Sequence, residues 1–211
     1  METSPSLELE FHIRNTTGRT LIAGLDEAGR GALAGPVAAA AVILPLDKRE
    51  ALSYLSEVND SKKLTAKKRA YFYDLITEHA LAYGIGTSSP IRIDREGIVP
   101  ATKYAMQQAL KHLGMQPEFL LIDGRIRLRG TKIPQNSVVR GDGKSISIAA
   151  ASILAKVTRD RYMQALDPLY PQYGFASHKG YATKRHVAAI DLHGPLELHR
   201  HTFAPVRQTL L

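Results

Sequence analysis

The 211-residue chain contains no cysteine, which removes disulfides and thiolate metal sites, so any metal must sit on oxygen or imidazole ligands. It also lacks a long apolar run: the most apolar stretch, Ala34 to Leu44, is alanine-rich and too short to span a bilayer. The first segment carries Glu2, Glu8 and Glu10, unlike a signal or transit peptide. The expected location is the cytoplasm, away from any membrane. No internal repeat or low-complexity tract is visible. Acidic residues are in deficit, 20 against 28 lysines and arginines, giving a net charge of +8 and a pI near 9.7. That balance suggests a polyanionic partner, with a membrane surface as the competing reading. A hydrophobic fraction of 44% excludes a disordered chain.

What is present alternates between two periodicities. Leu21 to Asp26 reads as a buried strand, Gly29-Arg30-Gly31 as a turn, and Val37 to Leu44 as a second strand able to pair with the first antiparallel. A helix is expected over Thr65 to Ala82 with Ser61 or Thr65 as N-cap, a strand over Tyr83 to Ser88, and one helix over Asp94 to Leu113. Glu118 to Asp123 is an apolar strand ending in a turn, and Ile133 to Val139 another strand. Arg125, Arg127 and Arg129 alternate with Ile126 and Leu128 as one exposed strand face would. Ser145 to Leu166 carries Ile146, Ala149, Ala150, Ile153, Val157 and Arg161 at helical spacing, so Asp142 falls just before a long helix. A last short helix is expected over Thr183 to Leu192. The fold class is α/β, a central mixed sheet flanked by helices with a small C-terminal helical part. The expected divisions are 1–19 as an N-terminal extension, 20–168 as the catalytic domain and 169–211 as a small helical subdomain.

Asp26, Glu27, Asp123 and Asp142 are acids at strand ends or a helix start, beside glycines that admit another backbone. Carboxylates gathered at neighbouring strand tips repel one another, so either some hold protons or hard divalent cations, Mg²⁺ or Mn²⁺, neutralise them. Two such ions roughly 4 Å apart serve phosphodiester hydrolysis. Each acid taken singly has a plainer role: Asp123-Gly124 is a common turn dipeptide, and Asp142 suits a helix N-cap. Adjacent side chains on a strand point to opposite faces, so Asp26 and Glu27 can share a site only if the pleat breaks at Glu27. Five histidines, His178, His186, His193, His199 and His201, match no common zinc spacing and read as surface or capping residues.

These residues carry a resemblance. Gly24-Leu25-Asp26-Glu27-Ala28-Gly29-Arg30-Gly31, continuing Leu33-Ala34-Gly35-Pro36-Val37, resembles the opening signature of ribonuclease HII. Similar blocks follow in order: Asp60-Ser61-Lys62-Lys63-Leu64, Leu121-Ile122-Asp123-Gly124, Gly141-Asp142-Gly143-Lys144-Ser145 running into Ile148 to Ile153, His178-Lys179-Gly180-Tyr181, then His199-Arg200 and Thr202-Phe203. The resemblance spans about Leu21 to Val206, and ordered blocks of this length are far more specific than one motif. Small departures, Ala32 for proline, Gly143 for alanine, Arg140 for lysine and His201 for a basic residue, touch no carboxylate.

The resemblance implies an RNase H-like fold and an endoribonuclease that cuts RNA in RNA·DNA hybrids and 5′ of a lone ribonucleotide in duplex DNA. It implies Asp26, Glu27, Asp123 and Asp142 as catalytic, metal-binding carboxylates for Mg²⁺ or Mn²⁺. Gly29, Arg30 and Gly31 would read the 2′-hydroxyl with their backbone, the only group that separates RNA from DNA there. Tyr181 would pack on the sugar at the RNA-to-DNA junction. Lys62 and Lys63 would contact phosphate, and Lys144 and Ser145 would also bind the substrate. A monomer is the default. Ribonuclease HIII, a DNA-only nuclease and a non-catalytic nucleic-acid-binding module stand as alternatives.

Overall fold

The computed structural model describes residues 4–55, 58, 61 and 64–209. Five strands form one sheet: β1 (Ile22–Ala28), β2 (Val37–Ile43), β3 (Ala82–Ser88), β4 (Phe119–Asp123) and β5 (Gln135–Val138), in the order β3-β2-β1-β4-β5. β1 runs antiparallel to β2 but parallel to β4, so the sheet is mixed and β1 is its centre. The helices are α1 (Glu8–Thr17), α2 (Arg49–Leu55), α3 (Ala66–His79), α4 (Pro90–Glu96), α5 (Ile98–Lys111), α6 (Ile146–Leu166), α7 (Phe175–His178), α8 (Lys184–His193) and α9 (Ala204–Gln208).

The central strands are buried on both faces, which is why β1 and β2 read as continuous apolar runs rather than alternating ones. Along β2 the side chains divide between two cores. Ala40 and Val42 join Ile148, Ile153 and Leu154 of α6, while Val37, Ala39, Ala41 and Ile43 join Ala105, Met106 and Ala109 of α5. Each fully buried leucine or isoleucine contributes on the order of 2 kcal/mol. Alanines and glycines let both helices approach closely. A Cβ added at Gly24 in β1 would lie 2.2 Å from the Ser147 carbonyl carbon, so α6 rests directly on the strand backbone.

Four local expectations change. The stretch Asp94 to Leu113 is two helices, because Gly97 at φ +86° ends α4 and opens α5. The segment after Asp123 is irregular until β5: Ile126 and Leu128 are buried and Arg125, Arg127 and Arg129 exposed, without a strand. On α6 the buried arginine is Arg159, whereas Arg161 faces outward. Helices α1 and α2 were not expected. α1 buries Ile13 against the α6-side core, and Ser6 bridges Ser145 through Ser6 N–H to Lys144 O and Ile146 N–H to Ser6 O, both 3.1 Å. The C-terminal helices enclose a third core around Tyr173, Phe175, Ile190 and Val206. No described helix is long and apolar enough to cross a membrane.

Candidate active site

Parallel pairing puts the carboxyl ends of β1 and β4 side by side. Their register ends at Leu25 opposite Ile122, so Asp26 and Asp123 are the next residues along each strand. Both lie on the α6 side: Ile22 and Ala28 of β1, and Phe119 and Leu121 of β4, belong to the core beneath that helix, and side chains alternate along a strand. Asp142 reaches the same place from the 3₁₀ turn Gly141–Gly143 that leads into α6.

Asp26 is buried, and Ser152 of α6 hydrogen-bonds its carboxylate. That hydroxyl is in turn 3.0 Å from the Ser61 hydroxyl, so Ser61 is a buried part of the site rather than the N-cap of α3, which is Thr65. Burial, then the charges of Glu27 and Asp123, hold the Asp26 carboxyl well above the usual range. Asp123 is also raised, by burial and by Asp142, against the lowering effect of main-chain donors. The nearest donor is Gly141 N–H at 2.6 Å, which fastens the turn carrying Asp142 to the tip of β4. The helix cap falls to Ser145, whose hydroxyl accepts from Ile148 N–H, which leaves Asp142 out of the capping role.

The pleat does not break at Glu27. β1 stays paired with β2 through Glu27 opposite Ala39 and Ala28 opposite Ala38, because β2 continues past the glutamate. The two adjacent acids therefore project to opposite faces, and Glu27 Oε1 accepts from Arg30 Nη1 at 3.2 Å. Asp26, Asp123 and Asp142 come together; Glu27 stands at the rim, close enough for its charge to act on Asp26.

The Gly29-Arg30-Gly31 loop follows immediately. Gly29 has φ +90°, and a Cβ there would sit 2.0 Å from Arg159 Nε. Arg30 and Gly31 are exposed. Two buried arginines, Arg200 from the His199-Arg200 block and Arg159 from none, support this loop and the turn that follows it. Arg200 donates to Gly29 O and Arg30 O, both at 2.7 Å, and to Gly35 O at 2.9 Å. Arg159 donates to Ala34 O, Pro36 O and Lys179 O at 2.8–2.9 Å. Tyr181 is half-buried, its ring 5.3 Å from the Arg159 guanidinium and 5.4 Å from Lys156 Nζ.

Lys144 is exposed beside Asp142, whereas Ser145 is buried, its hydroxyl donating to Glu10 at 2.6 Å, so only the lysine is offered to a ligand. Lys62 and Lys63 lie outside the described residues. His193 and His201 are exposed as expected, but His178, His186 and His199 are buried, with the rings of Tyr173 and Phe175 around them. Among the described residues, no three acidic or imidazole groups are drawn close enough together to hold a metal ion as they stand. The site fits divalent metal by its chemistry: oxygen donors alone, buried, and driven by mutual repulsion to take up a positive charge.

A mixed five-stranded sheet with acids at its adjacent parallel strand ends defines an RNase H-like protein. The ribonuclease H2 structure from Pyrococcus horikoshii OT3 matches with a TM-score of 0.75 at 25% identity, over 89% of this chain and 96% of that one. A structure of Bst-RNase HIII in complex with Mn²⁺ matches with a TM-score of 0.67 at 17% identity, over 92% and 71%. The Ribonuclease HII family model matches residues 23–206. Ribonuclease HII of Bacillus mycoides (strain KBAB4) is 54% identical over 193 residues, 92% of this chain and 72% of the relative. The chain belongs to the ribonuclease HII family. It is an endonuclease with that family's activity, cleavage of the RNA in RNA–DNA hybrids, and the family uses divalent metal ions.

Proposed function

We propose that the enzyme also cuts 5′ of single ribonucleotides embedded in duplex DNA, with Asp26, Asp123 and Asp142 holding Mg²⁺ or Mn²⁺ and Glu27 completing the set from the rim. The observation that carries this reading is the contact between two features: the acidic corner at the ends of β1 and β4, and the Gly29–Gly31 loop that leaves the end of β1. Cations bound there would neutralise the carboxylates, polarise the scissile phosphate and lower the pKa of an attacking water.

The chain's own groups set the geometry. Asp123 ties the tip of β4 to the turn before α6, and Ser152 orients Asp26. The loop presents peptide groups at the place where a 2′-hydroxyl distinguishes RNA from DNA, and Arg200 holds the loop's carbonyls in one orientation. Tyr181 lies against the sugar at the RNA-to-DNA junction, while Arg30, Lys144 and the pair Lys62 and Lys63 contact phosphates. In this reading residues 20–168 are the catalytic domain, 1–19 an extension and 169–211 a small helical subdomain, in a monomer working in the cytoplasm.

The test is a duplex with one ribonucleotide, incubated with purified protein and Mg²⁺ or Mn²⁺ beside an all-DNA duplex. One cut, 5′ of the ribonucleotide and absent from the all-DNA control, is the expected result. Tight binding without cleavage would sink the proposal.

A further inference from the structure

Behind Tyr181 the chain buries three imidazoles, and their main-chain partners leave one arrangement of protons. The Tyr181 carbonyl, already bonded by Thr183 N–H at 2.8 Å, can only accept, so His186 Nδ1, 3.0 Å away, carries a proton. Leu196 N–H donates to His199 Nδ1 at 2.9 Å, which places the proton of neutral His199 on Nε2. The two Nε2 atoms are 3.1 Å apart, so His199 donates and His186 accepts. A directed chain results, from Leu196 N–H through His199 and His186 to the Tyr181 carbonyl. His178 stacks on His186, ring centroids 4.3 Å apart and 17° from parallel, and is itself fixed by Gly180 N–H and the Tyr173 carbonyl.

Two other roles fail on this geometry. Every ring nitrogen of the three is engaged, so none offers a lone pair to a metal. The chain begins on an amide and ends on a carbonyl, neither of which titrates, so no proton is relayed. What remains is orientation, and its end point is Tyr181. The next residue after His199 is Arg200, which grips the carbonyls of Gly29 and Arg30. Residues 199 and 200 therefore support both sides of the ribose-reading region.

We infer that His186 and His199, as a neutral hydrogen-bonded pair, are positioning residues that set Tyr181 against the sugar and so favour a lone ribonucleotide over a continuous RNA strand. The inference rests on the reading of Tyr181 as the sugar-packing residue. At a lone ribonucleotide the next sugar lacks a 2′-hydroxyl and accepts an aromatic face; in continuous RNA that hydroxyl stands in the way.

The experiment compares kcat/KM on a duplex with one ribonucleotide and on a duplex with an all-RNA strand. His186→Leu is expected to lower the ratio of the two by about tenfold, the equivalent of one lost hydrogen bond. His186→Asn, whose amide N–H can replace Nδ1–H, is expected to restore most of it. Equal loss on both duplexes would overturn the inference, since a role confined to folding has no substrate preference. Tyr181→Leu is run in parallel. If it leaves the ratio at the wild-type value, the parent reading of Tyr181 fails; if it lowers the ratio while His186→Leu does not, only the positioning role fails. Should His186→Leu not fold, ¹⁵N NMR of the wild-type protein at neutral pH decides: Nδ1–H on His186 with Nε2–H on His199 supports the pair, and the reverse tautomers or a charged ring refute it.

Discussion

The acidic corner and the arginine corner of the site both bury charge, and they differ in the groups that surround it. Asp26, Asp123 and Asp142 stand as like-charged neighbours, and the first two hold their protons more tightly than free carboxylates do. Arg159 and Arg200, each about 1% exposed or less, spread their charge over three main-chain carbonyls apiece. The difference separates work from support. Buried carboxylates that raise one another's pKa are ones a bound cation stabilises, whereas a guanidinium whose donors are taken by carbonyls has little left to offer a ligand.

The comparison can be broken at either corner, and the largest effect belongs to the acidic one. Asp123→Asn should reduce cleavage by on the order of a thousandfold while duplex binding persists, because a metal ligand is lost and the basic surface is untouched. Single-turnover cleavage beside fluorescence anisotropy measures the two quantities. Arg200→Met should cost about 3 kcal/mol, since the carbonyls of Gly29, Arg30 and Gly35 lose a donor. A melting temperature lower by about 10 °C would register it, and an unchanged melt would show that the arginine is not what fastens the loop.

Acid should act next, away from both corners. Burial lowers His186 and His199 from 6.5 to about 4 in the folded protein. The unfolded chain therefore binds protons first, and stability that is fully present above pH 6.5 drains away as pH falls towards 4. The pair should cost about 3 kcal/mol by pH 5.5, read as a falling melting temperature that His186→Asn flattens. The smallest effect has the opposite sign. Asp26 has a raised carboxyl pKa, so its stabilising contribution is present at low pH and lost as pH rises through the folded value. At neutral pH without metal, Asp26→Asn should stabilise the fold by about 1 kcal/mol while removing activity, and Mn²⁺ should raise the melting temperature of the wild type more than that of the variant.

Much of this was readable in the residues. The strand ends at Asp26 and Asp123 and the long helix after Asp142 follow from apolar runs, a turn dipeptide and helical spacing, all local signals. The break in the pleat expected at Glu27 is absent because strand regularity depends on the partner: β2 extends far enough to keep the glutamate in register. Arg159 carried a faint signal, a charged residue four positions after Ala155 on a stripe that is otherwise apolar or small. Arg200 carried none beyond its family block, since its partners lie some 165–171 residues earlier. The burial of His178, His186 and His199 likewise depends on α8 and the segment after it packing around Phe175, and no short window of sequence encodes that packing.

Gly24 sits two residues before Asp26, pressed against the main chain at the start of α6. The clearance between the strand bearing Asp26 and the helix that follows Asp142 is thus gauged by a missing methyl group. Alanine at that position is the thinnest shim that can be inserted, and it would alter the spacing of the carboxylates without replacing any of them. Because that methyl would fall within 2.4 Å of three main-chain atoms of Ser147 and Ile148, no side chain can turn aside to admit it, and the strand or the helix itself must move.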